Sequence, residues 1–158
     1  MKIKEPKKLV LAIFLSLFAG IIGSVFTYPS ILSWYIYLKK PPFAPPNWVF
    51  GPVWTMLYIL MGISAYLVWI EQKNKKSKPA MQLYWIQLAL NSLWSIVFFG
   101  LQQLLISSLT ILVLWALIAL TIKRFKKVSK NAAYLLLPYL LWVTFATYLN
   151  IAIWLLNP

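Results

Sequence analysis

Cysteine and histidine are absent from the 158 residues, and Glu5 and Glu71 are the only acids. Without cysteine there are no disulfides, thiolate metal sites or sulfur nucleophiles. Without histidine, imidazole ligation of haem or zinc and every His-based triad are excluded. No carboxylate lies inside an apolar stretch. Coupled transporters keep ionisable groups in the membrane despite a cost of about 2.5–3.5 kcal/mol each, so proton- or sodium-driven transport is disfavoured. Acid–base catalysis lacks equipment as well, because Glu71 sits where an apolar stretch ends and reads as a solvated cap. No metal site and no obligatory cofactor are expected.

What the chain has instead is apolar and aromatic. Hydrophobic residues make up 62% of it, Trp, Tyr and Phe number 9 each, and the formal charge is +13. Four stretches carry no charge at all: 9–38, 41–70, 79–122 and 131–158. Runs of about 18 or more such residues mark membrane spans. The third stretch is 44 residues long. As one helix it would reach about 66 Å, twice the ~30 Å hydrocarbon layer, so it must fold back near Gly100-Leu101-Gln102-Gln103. The expectation is an all-α integral membrane protein: one membrane domain over 1–158, a five-helix bundle with helices at about 9–28, 49–70, 80–99, 104–123 and 132–156. Pro29 is read as the stop of the first helix and Pro138 as a kink in the last. A secretory signal peptide is the competing reading of the first stretch, but its apolar run of about 20 residues exceeds the ~7–15 of a signal core.

Five spans put the termini on opposite sides. Thirteen of the 15 basic residues lie in the N-terminus and in the segments 71–78 and 123–130, leaving only Lys39 and Lys40 on the other side. The positive-inside rule then places the N-terminus inside and the C-terminus outside, and makes the connection between helices one and two the long external loop. Because the charge sits beside span ends, anionic lipid headgroups are the expected partner of these segments and nucleic acid is not. Five of the ten prolines fall between Pro41 and Pro52. Their fixed φ angles suit a stiff lid, and equally a stiff connector.

Helical spacing groups Trp54, Tyr58 and Met61 on one face; Asn91, Trp94, Ser95 and Phe98 on another; and Trp142, Phe145, Ala146 and Leu149 on a third. Such stripes serve interhelix packing and interfacial belts as readily as binding. Depth adds a second reading, since Trp54, Tyr58, Asn91, Phe98, Trp142 and Ala146 all fall in the outer half and could line one cavity under the loop. An amide such as Asn91 needs a partner in hydrocarbon, either another helix or a ligand's polar group. A mostly apolar aromatic pocket suits a flat hydrophobic ligand. The small residues Ser16, Ala19, Gly20, Gly23 and Ser24 permit close helix approach, within the bundle or between two copies.

The sequence from Trp34-Tyr35 through Lys40-Pro41-Pro42, Pro45-Pro46 and Gly51-Pro52-Val53-Trp54-Thr55-Met56-Leu57-Tyr58 resembles the tryptophan-rich sensory protein (TspO/MBR) family. Mammalian members of that family are called translocator protein or peripheral benzodiazepine receptor. The resemblance continues at Met61-Gly62, Tyr66-Leu67-Val68-Trp69, Ala89-Leu90-Asn91 with Trp94, and Phe98-Phe99-Gly100. It closes with Pro138-Tyr139, Trp142 and Phe145-Ala146-Thr147-Tyr148-Leu149-Asn150.

The resemblance implies a five-helix bundle, commonly a homodimer, with a pocket closed by the loop between helices one and two, in a prokaryotic cytoplasmic membrane. It implies a receptor or sensor for porphyrins such as protoporphyrin IX and haem, and for isoquinoline carboxamide drugs. Tyr35, Trp54, Asn91, Trp94, Trp142 and Ala146 are the matching pocket positions, to which spacing and depth add Tyr58 and Phe98. Two alternatives accompany it: light-dependent degradation of protoporphyrin, with Trp54 and Trp142 as the catalytic tryptophans, and passive translocation of porphyrin or lipid. No basic residue follows Tyr148, so the animal cholesterol-recognition pattern is missing there. With no histidine, metal-free porphyrin is the better-suited ligand.

Overall fold

The computed structural model describes residues 4–71 and 73–158 and is entirely helical, with no strand among them. α1 spans Pro6–Ser33, α2 Phe50–Trp69, α3 Ser77–Ser95, α4 Leu104–Lys126, α5 Lys130–Leu135 and α6 Leu137–Leu156. Short 3-10 turns at Tyr35–Tyr37 and Asn47–Val49 lie in the connection between α1 and α2. With flanking turns included, five segments are long and apolar enough to cross a membrane, the fifth made of α5 and α6 together. Helix is what such sequences must form in lipid, where each backbone group needs a partner within its own segment.

α1 differs from expectation by running through Pro29 to Ser33. A proline removes its own N–H from the ladder and crowds the carbonyl four residues back, a local disturbance that need not end the helix. The bonds beyond it persist, with Trp34 N–H donating to the Ser30 carbonyl at 3.0 Å and the Ser33 hydroxyl to the Pro29 carbonyl at 2.8 Å. The expected kink at Pro138 is instead a break two residues earlier. Leu136 separates α5 from α6, and Pro138 occupies the first turn of α6, where a missing N–H costs nothing. Ser129 caps α5 by accepting from the Ala132 amide.

α3 ends in a π turn, Ile96–Gly100, closed by Leu101 N–H donating to the Ile96 carbonyl at 2.8 Å. The chain then reverses at Gln102, the one non-glycine residue with positive φ among those described (56°). This is the expected fold-back. The π turn widens the helix end and places Phe98 and Phe99 side by side, ring centroids 4.7 Å apart.

Packing sorts the faces of α1. Ala12, Ser16, Ala19 and Gly23, at helical spacing, are buried, while Val10, Phe14, Phe18, Ile21 and Val25 are exposed, as suits a lipid-facing stripe. The small face packs within the bundle: Ser16 bonds the Tyr84 hydroxyl of α3 at 2.7 Å, and the Ser92 hydroxyl of α3 donates to the Ala19 carbonyl at 2.8 Å. Ser24 stays exposed. α2 meets α1 at Gly62, where a Cβ would come 2.5 Å from the Ile13 Cα.

The basic segments gather at one end of the bundle. There the backbone amide of Lys4 donates to the Tyr66 hydroxyl at 3.1 Å, and the Ser64 hydroxyl donates to the Ala132 carbonyl at 2.7 Å. Residues 34–49, the π turn and the end of α6 share the opposite end.

Candidate functional site

At that opposite end α1 and α2 diverge, leaving an apolar cavity of about 520 Å³ between them, floored by α3. Leu17, Gly20, Gly23 and Thr27 contribute from α1; Phe50, Trp54 and Tyr58 from α2; Trp94, Ser95 and Phe99 from α3 and its π turn; Asn47 and Trp48 close one end. Gly20 and Gly23 let α1 approach this wall closely: a Cβ on Gly20 would overlap the Tyr58 ring, and one on Gly23 would come 3.0 Å from the Ser95 hydroxyl. No charged side chain lines it.

Behind the cavity lies a continuous aromatic cluster. Trp54 stands 5.7 Å from Tyr58, 6.4 Å from Trp94 and 6.2 Å from Tyr139, measured between ring centroids. Tyr35 packs against Phe50, Phe98 and Phe99 at 6.4, 6.2 and 5.8 Å. Trp142 reaches the cluster through Phe50, 6.2 Å away.

Two polar knots link buried groups of neighbouring helices, with Gln87 Nε2 left without a partner among the described residues. Tyr58 donates its hydroxyl to Asn91 Oδ1, Asn91 Nδ2 donates to the Tyr139 hydroxyl at 3.0 Å, and Tyr139 donates to Gln87 Oε1 at 3.0 Å. Trp94 Nε1 donates to Asn150 Oδ1 at 2.8 Å, and Asn150 Nδ2 donates to Ser107 and Ser108 of α4 at 3.1 and 3.0 Å. The amide of Asn91 therefore finds its partners on neighbouring helices, the first of the two options its burial left open. The Trp142 indole N–H is buried without a partner among the described residues.

Of the eight positions expected to form one site, Trp54, Tyr58 and Trp94 line the cavity. Tyr35, Phe98 and Trp142 sit one ring behind it, and Asn91 and Ala146 are buried away from its wall. Sequence reasoning missed Phe50 and Phe99 as wall residues. Gly20 and Gly23, expected as points of close helix approach, serve as such against Tyr58 and Ser95.

At the roof, burial pushes the Tyr35 phenol up to about 12. The Lys40 ammonium lies 4.6 Å above the Tyr35 ring centroid, and burial pulls its pKa below the usual lysine value. Among the described residues no group of three or more acidic side chains could hold a metal ion. The arrangement offers stacking faces, a few already-engaged hydroxyls and no general acid or base.

The chain matches the TspO/MBR family model over residues 12–155. It is 47% identical over 150 residues to the tryptophan-rich protein TspO of Archaeoglobus fulgidus, covering 95% of this chain and 97% of that one. It is 46% identical over 157 residues to the protein of the same name from Chlorobaculum tepidum, covering 98% and 99%. It is also 42% identical over 135 residues to human translocator protein, covering 84% of this chain and 80% of the human one. A match from the first helix to the last, on a bundle of five membrane-spanning segments, makes this chain an integral membrane protein of the TspO/MBR family.

Proposed function

We propose that the protein is a membrane receptor or sensor that takes up a flat, hydrophobic, porphyrin-like molecule in the cavity between α1, α2 and α3. The observation that carries this reading is the wall itself. Trp54, Tyr58, Trp94 and Phe99 give stacking faces, the volume falls in the range of small-molecule sites, and no charged side chain lines the wall, so the apolar face of a ligand seats inside while carboxylates such as the porphyrin propionates stay at the open rim. Metal-free porphyrin fits better than haem, because the wall holds no His, Met or Lys, its Tyr58 hydroxyl is already engaged by Asn91, and Tyr28 lies at the exposed rim. The N-terminus faces the cytoplasm, by the gathering of basic segments at one end.

The test is a titration of detergent-purified protein with protoporphyrin IX in the dark, following tryptophan quenching. Saturable quenching that Trp94→Leu weakens at least fivefold is expected. Equal affinity in the variant would move the ligand elsewhere.

A second reading rests on the placement of the indoles. Trp54 borders the cavity and lies 6.2 Å from Tyr139, while Trp142 stands behind Phe50, so a bound excited porphyrin would have oxidisable rings within van der Waals reach. Under this reading the protein consumes protoporphyrin in light and oxygen. Bleaching of the Soret band no faster with protein than without it would remove that reading and leave the receptor.

A further inference from the structure

The segment joining α1 to α2 is tied to the rest of the molecule in an uneven way. Between residues 38 and 46 the described hydrogen bonds are local, within four positions, with one exception. That exception is Asn157, just beyond α6 and 118 positions away in sequence: Lys39 N–H donates to Asn157 Oδ1 at 3.0 Å, and Asn157 Nδ2 donates to the Lys39 carbonyl at 2.9 Å. The same Nδ2 donates to the Ile153 carbonyl at 2.8 Å, which anchors the amide on its own helix. Both ends of one carboxamide thus grip both backbone groups of one residue, as a neighbouring strand would.

The next residue carries the grip inward. Lys40 Nζ donates to the Leu38 carbonyl at 3.2 Å and sits over the Tyr35 ring, 4.6 Å from its centroid. Tyr35 in turn packs on Phe50 and Phe99, which wall the cavity. Beyond Lys40 the segment contains Pro41, Pro42, Pro45 and Pro46, whose fixed φ angles make it move as a stiff piece. A stiff piece fastened by hydrogen bonds at one point opens when that point lets go.

We propose that Asn157 is a positioning residue, a clasp that holds the α1–α2 segment down over the aromatic cluster and so sets the rate at which ligand enters and leaves the cavity. The gating role rests on the porphyrin-binding reading above; the clasp itself does not. Its bonds go to the Lys39 backbone, so the Lys39 side chain is dispensable to it.

The test compares the unmodified protein, Asn157→Ala, Asn157→Asp and Lys39→Ala by amide hydrogen exchange over residues 35–44 and by stopped-flow uptake and release of protoporphyrin IX. Two partly exposed hydrogen bonds at the low end of their range correspond to roughly fivefold. Asn157→Ala is expected to exchange the segment roughly fivefold faster and to accelerate both association and dissociation by a similar factor, with the dissociation constant nearly unchanged. Asn157→Asp, which can accept from Lys39 but not donate, falls between, and Lys39→Ala behaves as the unmodified protein. Acceleration of both directions is the signature of a gate, because a variant that merely loosened the bundle would weaken binding through release alone. Unchanged exchange in Asn157→Ala, faster exchange with unchanged ligand rates, or faster release alone would each overturn the proposal. If the unmodified protein shows no saturable uptake, the porphyrin reading and the gate fall together, while the exchange arm still reports whether the clasp exists.

Discussion

Asn91 and Tyr35 are the two residues whose environments make the sharpest demands. Asn91 joins Tyr58 to Tyr139, and Tyr139 to Gln87, at the centre of the bundle. Replacing it with leucine strands the Tyr58 hydroxyl and takes a donor from Tyr139, which keeps its bond to Gln87, and a stranded buried group costs about 1–3 kcal/mol. Asn91→Leu is therefore expected to lower thermal stability in detergent by that order, with any loss of ligand affinity following from the wall rather than from a lost contact. A variant as stable as the parent would show that the network is not what holds these helices together. Tyr35 makes a pH prediction. Its folded-state pKa is raised, from 10 to about 12, so its contribution to stability is complete below pH 10 and is lost as pH climbs from about 10 to 12. Lys40 acts with the opposite sign, since its lowered pKa means the folded state sheds that proton earlier. Tyr35→Phe is expected to flatten the decline in stability above pH 10 by one proton's worth. An unchanged slope would contradict the burial assigned to the phenol.

At the scale of elements, the α1–α2 crossing is the contact with least tolerance. Gly62→Ala would drive a Cβ against the backbone of Ile13, which cannot rotate away, and overpacking of this kind costs about 1–3 kcal/mol. A drop in the unfolding midpoint is expected, and a neutral variant would mean that the helices cross more loosely. The five spans were legible because charge is confined to their ends, and the reversal at Gln102 because 44 uncharged residues cannot form one span. The exit of α1 was not, since a lone proline in lipid-facing helix removes one bond without supplying an alternative structure. Nor was the π turn, which leaves no mark in the 3.6-residue pattern. The site was half legible. Spacing i, i+4 put Trp54 and Tyr58 on one face, but periodicity alone does not say which neighbour a face meets. The structure sets Trp142 behind Phe50, an arrangement that spacing along one helix does not reveal. Asn91 could be recognised as needing a partner, and only packing decided that Tyr58 and Tyr139 supply it.

The whole molecule is polarised, with basic segments at one end and the cavity, the roof segment and the Asn157 clasp at the other. Because the native chain lacks cysteine, single-cysteine variants report orientation without background. Phe43→Cys is expected to react with a membrane-impermeant maleimide added to intact cells, and Lys127→Cys only after permeabilisation. The reverse pattern would invert the topology and place the cavity on the cytoplasmic side. The central claim is that the tryptophan-walled cavity holds a porphyrin-like ligand. It is tested most directly by equilibrium titration of the protein and of Trp54→Leu with protoporphyrin IX in the dark, read by tryptophan quenching and the Soret shift. The account predicts saturable binding by the native chain and at least tenfold weaker binding by Trp54→Leu, whereas equal binding by both, or none by the native chain, would contradict it.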